Sequence, residues 1–217
     1  MELVTLKIIE GNLQSQCRQD EWVLEETNKK RNGYFVEFGA TDGKTISNTY
    51  GLEKDYGWTG IVAEANPIYK DALIANRSCS IYLGAVYSHD DGVKFNMTVA
   101  SDLSTISGYG TDDEHAINRL SGNVIGVETC TLRQLLDRND APTNIDYISI
   151  DTEGSEYDIL ECFFDDPQSD KYNVQLFTVE HNFTPAREKI KGLMEEQGYE
   201  RVRTDISRFD DFYRKKI

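Results

Sequence analysis

Gly33-Tyr34-Phe35-Val36-Glu37-Phe38-Gly39-Ala40-Thr41-Asp42-Gly43 decides the fold. Its first half is aromatic and β-branched and stops at glycine, the composition of a buried strand. Its second half, ExGxxxG, is a tight loop that leads into a helix. Gly39 lets the backbone turn sharply and lets a ligand lie against it, and Gly43 keeps the loop small. The spacing is not the GxGxxG of a dinucleotide site, and an acid, Glu37, stands near the strand end. A carboxylate there suits a cationic or hydroxyl-bearing ligand better than a phosphate.

Outward from this stretch, strands and helices alternate. A helix is expected from Ser47, a capping residue, to just before Gly57. A second strand covers 60–64, and Asn66-Pro67 opens the next helix with a cap and a proline that forfeits no bond. A third strand covers 80–86. Such a β-α-β-α-β run signals a parallel sheet with right-handed crossovers. Strands over 94–99 and 123–130 flank a polar stretch, 100–110, which is either a substrate lid or a surface loop, and a short helix near Thr111. Thr131 caps a helix through Arg138. The apolar run 146–151 is a strand covered on both faces, Ser155 caps the helix after it, and 174–180 is a further strand. Thr184-Pro185 opens a helix that ends at Gly198. Two strands, 199–204 and 208–215, are joined too closely to be anything but antiparallel.

The chain has 217 residues, 23 Lys and Arg against 38 Asp and Glu, and a net charge of −15. That length predicts one domain, 1–217, with residues 1–30 as an N-terminal cap segment. The charge opposes nonspecific binding to nucleic acid or to an anionic membrane surface, so neither is expected as a partner. Cys17, Cys79, Cys130 and Cys162 have no CxxC spacing, which argues against a zinc knuckle and for reduced thiols. Met1 to Glu10 has no basic region followed by a long apolar run, and no stretch approaches a membrane span, so a cytoplasmic location is expected.

Glu64 ends the second strand 27 residues after Glu37. In nucleotide-binding α/β folds an acid at this place accepts hydrogen bonds from both ribose hydroxyls. Together the quoted stretch, Ser47-Asn48-Thr49, Gly57-Trp58-Thr59-Gly60-Ile61-Val62-Ala63-Glu64-Ala65-Asn66-Pro67 and Ile150-Asp151-Thr152-Glu153-Gly154-Ser155-Glu156 resemble the FkbM-type S-adenosylmethionine-dependent methyltransferases. Ser15-Gln16-Cys17-Arg18-Gln19-Asp20 is similar to an S-Q-x-x-Q-D element of the family's Star-like branch. The resemblance covers about residues 14 to 215. It implies a class I methyltransferase fold, a Rossmann-like three-layer α/β sandwich with strand order 3-2-1-4-5-7-6 and an antiparallel seventh strand. It implies S-adenosylmethionine as cofactor, with Glu37 and Gly39 at its methionine part, Glu64 at the ribose, and Ala85 and Val86 near the adenine. Gln16 and Asp20 would close over it, and Ala40, Gly43, Asn48, Ala65 and Asp151 complete the implied binding set. Ala40-Thr41-Asp42 departs from the glycine-rich loops of many methyltransferases, which puts the loop's contact with the cofactor carboxylate in question.

Ligands in open α/β sheets bind beyond the carboxyl ends of the strands, so Asp151, Glu153, Glu180, His181 and Asn182 should gather near Gly39 and Glu64. Two chemistries follow. His181, with Asp151 and Glu180 as catalytic neighbours, takes the proton from a substrate hydroxyl. Alternatively Asp151, Glu180 and His181 or Asn182 hold Mg²⁺ or a similar ion that acidifies that hydroxyl. The metal-free version is preferred because no sequence feature demands a divalent cation. His89 sits in a turn and His115 in a short polar helix, both expected to be solvated. The expected activity is O-methylation of a small molecule or glycan. The alternative is a module of the same fold that binds the cofactor without catalysis. RNA methylation is disfavoured by the acidic surface and by the lack of a Lys-Asp-Lys-Glu tetrad.

Overall fold

The structure is a computed structural model that describes residues 11–111, 113 and 115–216. The leader reading of Met1 to Glu10 lies outside the described residues. The chain begins with α1 (Gln19–Glu26), then β1 (Tyr34–Phe38), α2 (Tyr50–Tyr56), β2 (Thr59–Ala63), α3 (Lys70–Asn76) and β3 (Ser80–Tyr82). Gly57 takes φ +70° to end α2, and Asn66 caps a turn of 3-10 helix, Pro67–Tyr69, that leads into α3. A middle segment carries β4 (Ala85–Val86), β5 (Val93–Met97), β6 (Thr105–Ile106), α4 (Ala116–Arg119), β7 (Asn123–Val127) and β8 (Thr129–Cys130). The alternation resumes with α5 (Leu132–Arg138), β9 (Asn144–Ile150), α6 (Glu156–Asp165), β10 (Asn173–Glu180), α7 (Ala186–Glu196), β11 (Tyr199–Val202) and β12 (Asp210–Lys215).

Seven strands form one sheet in the order β3-β2-β1-β9-β10-β12-β11. All neighbours are parallel except those of β12, which runs antiparallel to β10 and to β11. Counting only these strands, the order is 3-2-1-4-5-7-6 with the seventh reversed, the class I methyltransferase topology. The fold is mixed α/β, and its sheet is buried on both faces. Val36, Phe38, Ile148 and Phe177 pack into one apolar cluster with α5, α6 and α7. Phe35, Tyr147 and Phe212 pack into a second with α1, where Trp22 meets the Phe212 ring edge-on at 5.2 Å.

The strand expected over 80–86 is two elements. The chain bends at Leu83-Gly84, so β3 stays in the main sheet while β4 leaves it to pair with β8. A Cβ on Gly84 would lie 2.7 Å from the Tyr82 ring and 2.9 Å from the Glu128 carbonyl, so the bend requires glycine. β5, β6 and β7 form a separate antiparallel sheet. The polar stretch 100–110 is partly regular, with a 3-10 turn, Ser101–Leu103, followed by β6. Among the described residues no helix is long and apolar enough to cross a membrane, and the four cysteines are free.

Candidate functional site

The parallel strands end together, which puts Gly39 after β1, Glu64 after β2, Asp151 after β9 and Glu180 at the end of β10. Between these ends and the β5-β6-β7 sheet lies a cavity of about 300 Å³. Its floor includes Gly39, Glu64, Ala65, Ala85 and Val86, and its roof Phe95, Leu103, Ser104, Ile106 and His115. Asp151, Glu153, Glu180, Asn182 and Phe209 line it at the β9 and β10 ends, and Gln16 reaches it from the N-terminal side. A second cavity, of about 350 Å³, lies against Glu156, His181, Thr184 and Lys189 and shares Glu180 and Asn182 with the first.

Gly39 has φ +67°, and a Cβ there would lie 2.0 Å from the Asp151 carbonyl oxygen. Only glycine allows β1 and β9 to end so close together. Glu64 accepts from the Thr41 N–H (2.7 Å) and from the Asn66 N–H (2.6 Å), one on each oxygen. It is buried, and burial pushes its carboxyl up to about 6 despite the backbone donors of Asn66, Thr41 and Ala65. Each oxygen keeps a lone pair for a hydroxyl. Thr41, Ile46 and Glu153 all have positive φ, at +46°, +58° and +62°. For a β-branched residue such as Ile46 that backbone is strained, and here all three line the cavity.

The structure puts several expected cofactor residues to other uses. Glu37 is buried, and its carboxylate accepts from Ser47 Oγ (2.9 Å), Asn48 N–H (2.6 Å), Thr49 Oγ1 and Arg77 Nη1 (3.2 Å). Glu37 therefore organises the loop before α2, and it also lines a narrow recess together with Gly39, Ala40, Asn48 and Asp151. Gly43 is packed under Leu73 and Arg77 and lines neither cavity. Ala40 and Asn48 line that recess with Gly39 and Asp151, where Asn48 Oδ1 is buried without a hydrogen-bond partner. Asp20 points back at its own turn, accepting from Ser15 Oγ and from the Gln14 N–H (2.8 Å). It thus shapes the turn that presents Gln16.

His181 departs furthest from expectation. Its Nδ1 accepts from the Phe183 N–H (3.0 Å), and Nε2 faces Asp211 Oδ1 at 3.7 Å with no hydrogen-bond partner. Asn182 and Phe183 both have positive φ, so the backbone turns immediately after β10 and carries the imidazole to the second cavity. Burial would raise the Asp211 carboxyl, but His181 and the hydrogen bonds of Arg187 and Ser207 hold it well below the usual carboxylate range. His115, expected to be solvated, lines the first cavity instead.

Asp151, Glu153 and Glu180 each offer an oxygen within 4.8 Å of the others'. Burial and the charge of Glu156 push Asp151 up to about 7, and burial with Asp151 nearby raises Glu153 and Glu180 well above the usual range. Glu180 Oε2 has no hydrogen-bond partner. Sequence reasoning missed Arg119, whose Nη2 pairs with Glu153 Oε2 while Nη1 donates to Asp113 and to the Gly110 carbonyl (2.9 Å). It also missed Gln19, whose amide donates to Asp210 (3.1 Å). A lone arginine in a polar helix carries no signal, whereas Gln19 lies inside the quoted S-Q-x-x-Q-D element.

Among solved structures, precorrin-6y C5,15-methyltransferase from Geobacter metallireducens matches at TM-score 0.48 and 10% identity, over 89% of this chain and 84% of that one. Methyltransferase FkbM from Methylobacillus flagellatus matches at TM-score 0.47 and 12% identity, over 84% of this chain and 43% of that one. No curated protein sequence matches. The family model described as the methyltransferase FkbM domain matches residues 37–201, from the acid of the first strand to the penultimate strand. With most of its length so matched, the chain belongs to the FkbM methyltransferase family.

Proposed function

We propose that this S-adenosylmethionine-dependent methyltransferase methylates a hydroxyl group of a small polar molecule or glycan. The residues lining the first cavity suit the cofactor. Its volume is at the lower end of that usual for ligand sites. Glu64 has acceptor capacity for two ribose hydroxyls, Ala65, Ala85 and Val86 offer an apolar bed for the adenine, and the Asn48 carbonyl oxygen in the recess suits an ammonium. When bound, S-adenosylmethionine supplies a methyl group on an electrophilic sulfonium.

The observation that carries the reading is the carboxyl pair of Asp151, which lines the first cavity, and Glu180, which borders both. An alcohol is a poor nucleophile until its proton can leave. A carboxyl held near neutrality accepts that proton at physiological pH. The step would balance: the acceptor oxygen forms a bond to the methyl carbon, the methyl–sulfur bond breaks with its electron pair passing to sulfur to leave S-adenosylhomocysteine, and the proton passes to the carboxyl pair. The second cavity, polar and bordered by Lys189 and Thr184, provides room for the acceptor beside Glu180. Alignment of the acceptor oxygen by these walls is the largest contribution expected of the protein.

The test is methyl transfer from labelled S-adenosylmethionine to panels of polyols, glycans and amines, read by mass spectrometry. Methyl ethers formed by the wild type and lost in Asp151→Asn are the expected result. Exclusive methylation of amines would refute hydroxyl transfer.

A further inference from the structure

We propose that β7 is a self-pairing edge, and that two copies of this chain associate through it as antiparallel strands centred on Ile125. The roof sheet runs β6-β5-β7, so among the described residues β7 has a neighbouring strand on one side only. The Ser107 N–H donates to the Lys94 carbonyl (2.8 Å), which turns the backbone groups of Lys94 and Asn96 towards β6 and those of Val93, Phe95 and Met97 towards β7. Their partners in register, Val127, Ile125 and Asn123, are therefore the hydrogen-bonded residues of β7, and the N–H and C=O groups of Val124 and Gly126 point outward. Such a row is a template for another strand, and native edges are usually blunted by lysine, proline or a bulge. β7 pairs one-to-one with β5 and carries neither residue. No residue between Arg119 and Glu128 is charged, in a chain of net charge −15.

Charge, shape and area point to a second copy as the occupant. Two copies of so acidic a chain repel each other over most of their surface, and the uncharged run from Leu120 to Val127 is a stretch where they do not. Strand alternation turns Ile125 and Val127 into the apolar cluster beneath the roof and Val124 and Gly126 to its outer face. Pairing about Ile125 sets Val124 directly opposite the partner's Gly126, with both on that outer face. A Cβ on Gly126 would meet nothing within 4 Å, so the valine of each copy enters open space beside the glycine of the other, and the two-fold axis makes the contact twice. Leu120 and Val124 are 84% and 53% exposed. Ile117, one turn before Leu120, is exposed too, and so is Val99, which lies at the same end because Met97 pairs with Asn123. These four side chains leave on the order of 500 Å² of apolar surface open. The same pairing carries this end of one copy towards the shallow groove that Lys94, Val127, Glu128 and Thr129 line at the other end of the partner strand. Both patches and the paired strands together reach roughly the 1,200 Å² of a stable specific interface. Because β5 joins β7 to β6 and supplies Phe95 to the roof, the pairing runs one sheet across the first cavities of both copies.

Sedimentation equilibrium and residue-resolved hydrogen exchange on the full chain test the pairing. The expected result is a reversible dimer with a dissociation constant on the order of micromolar. The Val124 and Gly126 amides should exchange more slowly as protein concentration rises. Val124→Lys sets an ammonium group from each copy against the other at a position already open to solvent, and it should weaken association at least about tenfold. It should also return the Gly126 amide to fast exchange at every concentration. Ile74→Lys, on the exposed side of α3, should dimerise as the wild type does. Should Val124→Lys fail to fold, Gly126→Lys carries the same test, since a side chain there has open space. A chain that stays monomeric throughout, a dimer that the lysine variant leaves intact, or a dimer whose Val124 and Gly126 amides exchange freely would each overturn the proposal.

Discussion

At Glu64 two demands meet in one carboxylate: it ties the loop after β1 to the turn before α3, and it faces the cavity with acceptor capacity to spare. If Glu64 holds the ribose as proposed, Glu64→Ala should weaken S-adenosylhomocysteine by about 2–4 kcal/mol, or roughly 30- to 1,000-fold, in titration calorimetry. The pH dependence has a definite sign. Burial keeps the proton on Glu64 up to about 6 in the empty protein, against roughly 4.3 when unfolded. Its contribution to the stability of the empty protein is therefore full below the lower value and is lost as pH rises through the higher one. Cofactor affinity runs the other way, rising across the same window as the stronger acceptor forms; a flat affinity from pH 5 to pH 7, on the order of the shift cited, would deny Glu64 that role. The strand-end position of this residue and the acids Asp151 and Glu180 were legible because strand ends gather in any parallel sheet. The partners of Glu37 were not, since Ser47, Thr49 and Arg77 reach it through loop and helix packing that no local pattern encodes. Nor was the orientation of His181, set by positive φ at two residues that follow it.

Arg119 links two elements that are distant in sequence. Its helix α4 belongs to the roof, Glu153 follows β9, and the guanidinium also binds the Leu103 and Gly110 carbonyls. Arg119→Met leaves Glu153 and Asp113 without their cation, and breaking such a buried pair costs about 3–5 kcal/mol where the whole fold shares the loss. Here the loss should fall on the roof: limited proteolysis is expected to cut within 100–120 many times faster, while the seven-stranded sheet keeps its far-ultraviolet circular dichroism. Uniform unfolding of the variant would show that roof and sheet form one cooperative unit. The same contrast separates legible elements from the rest. α5 was readable to the residue because Thr131 and Gln134 form a capping box within four positions. The bend between β3 and β4 was not, because it is imposed by Tyr82 and by the Glu128 carbonyl of a distant turn.

For the molecule as a whole, cofactor binding and stability are linked. A ligand at about 100 times its dissociation constant adds about 2.7 kcal/mol, which for a chain of this size raises the melting temperature by roughly 5–10 °C. Differential scanning fluorimetry with S-adenosylhomocysteine is expected to show that rise, and adenosine diphosphate to show none, since no phosphate cradle follows β1. An equal shift with both nucleotides would mean that the cavity reads adenosine alone. The roof over this cavity leaves and rejoins the molecule at one place, with Ala85 beside Thr129 and Val93 beside Val127. A segment whose two ends are neighbours behaves as a cassette: changing its length alters the closure entropy only logarithmically and leaves the sheet register untouched. The 88–128 segment thereby contributes to both cavities, roofing the first through Phe95, Leu103 and Ile106 and walling the second through Tyr109 and Asp113. Grafting a foreign segment between those two anchor points would exchange the roof of the first cavity and one wall of the second together, while the seven-stranded sheet keeps its pairing.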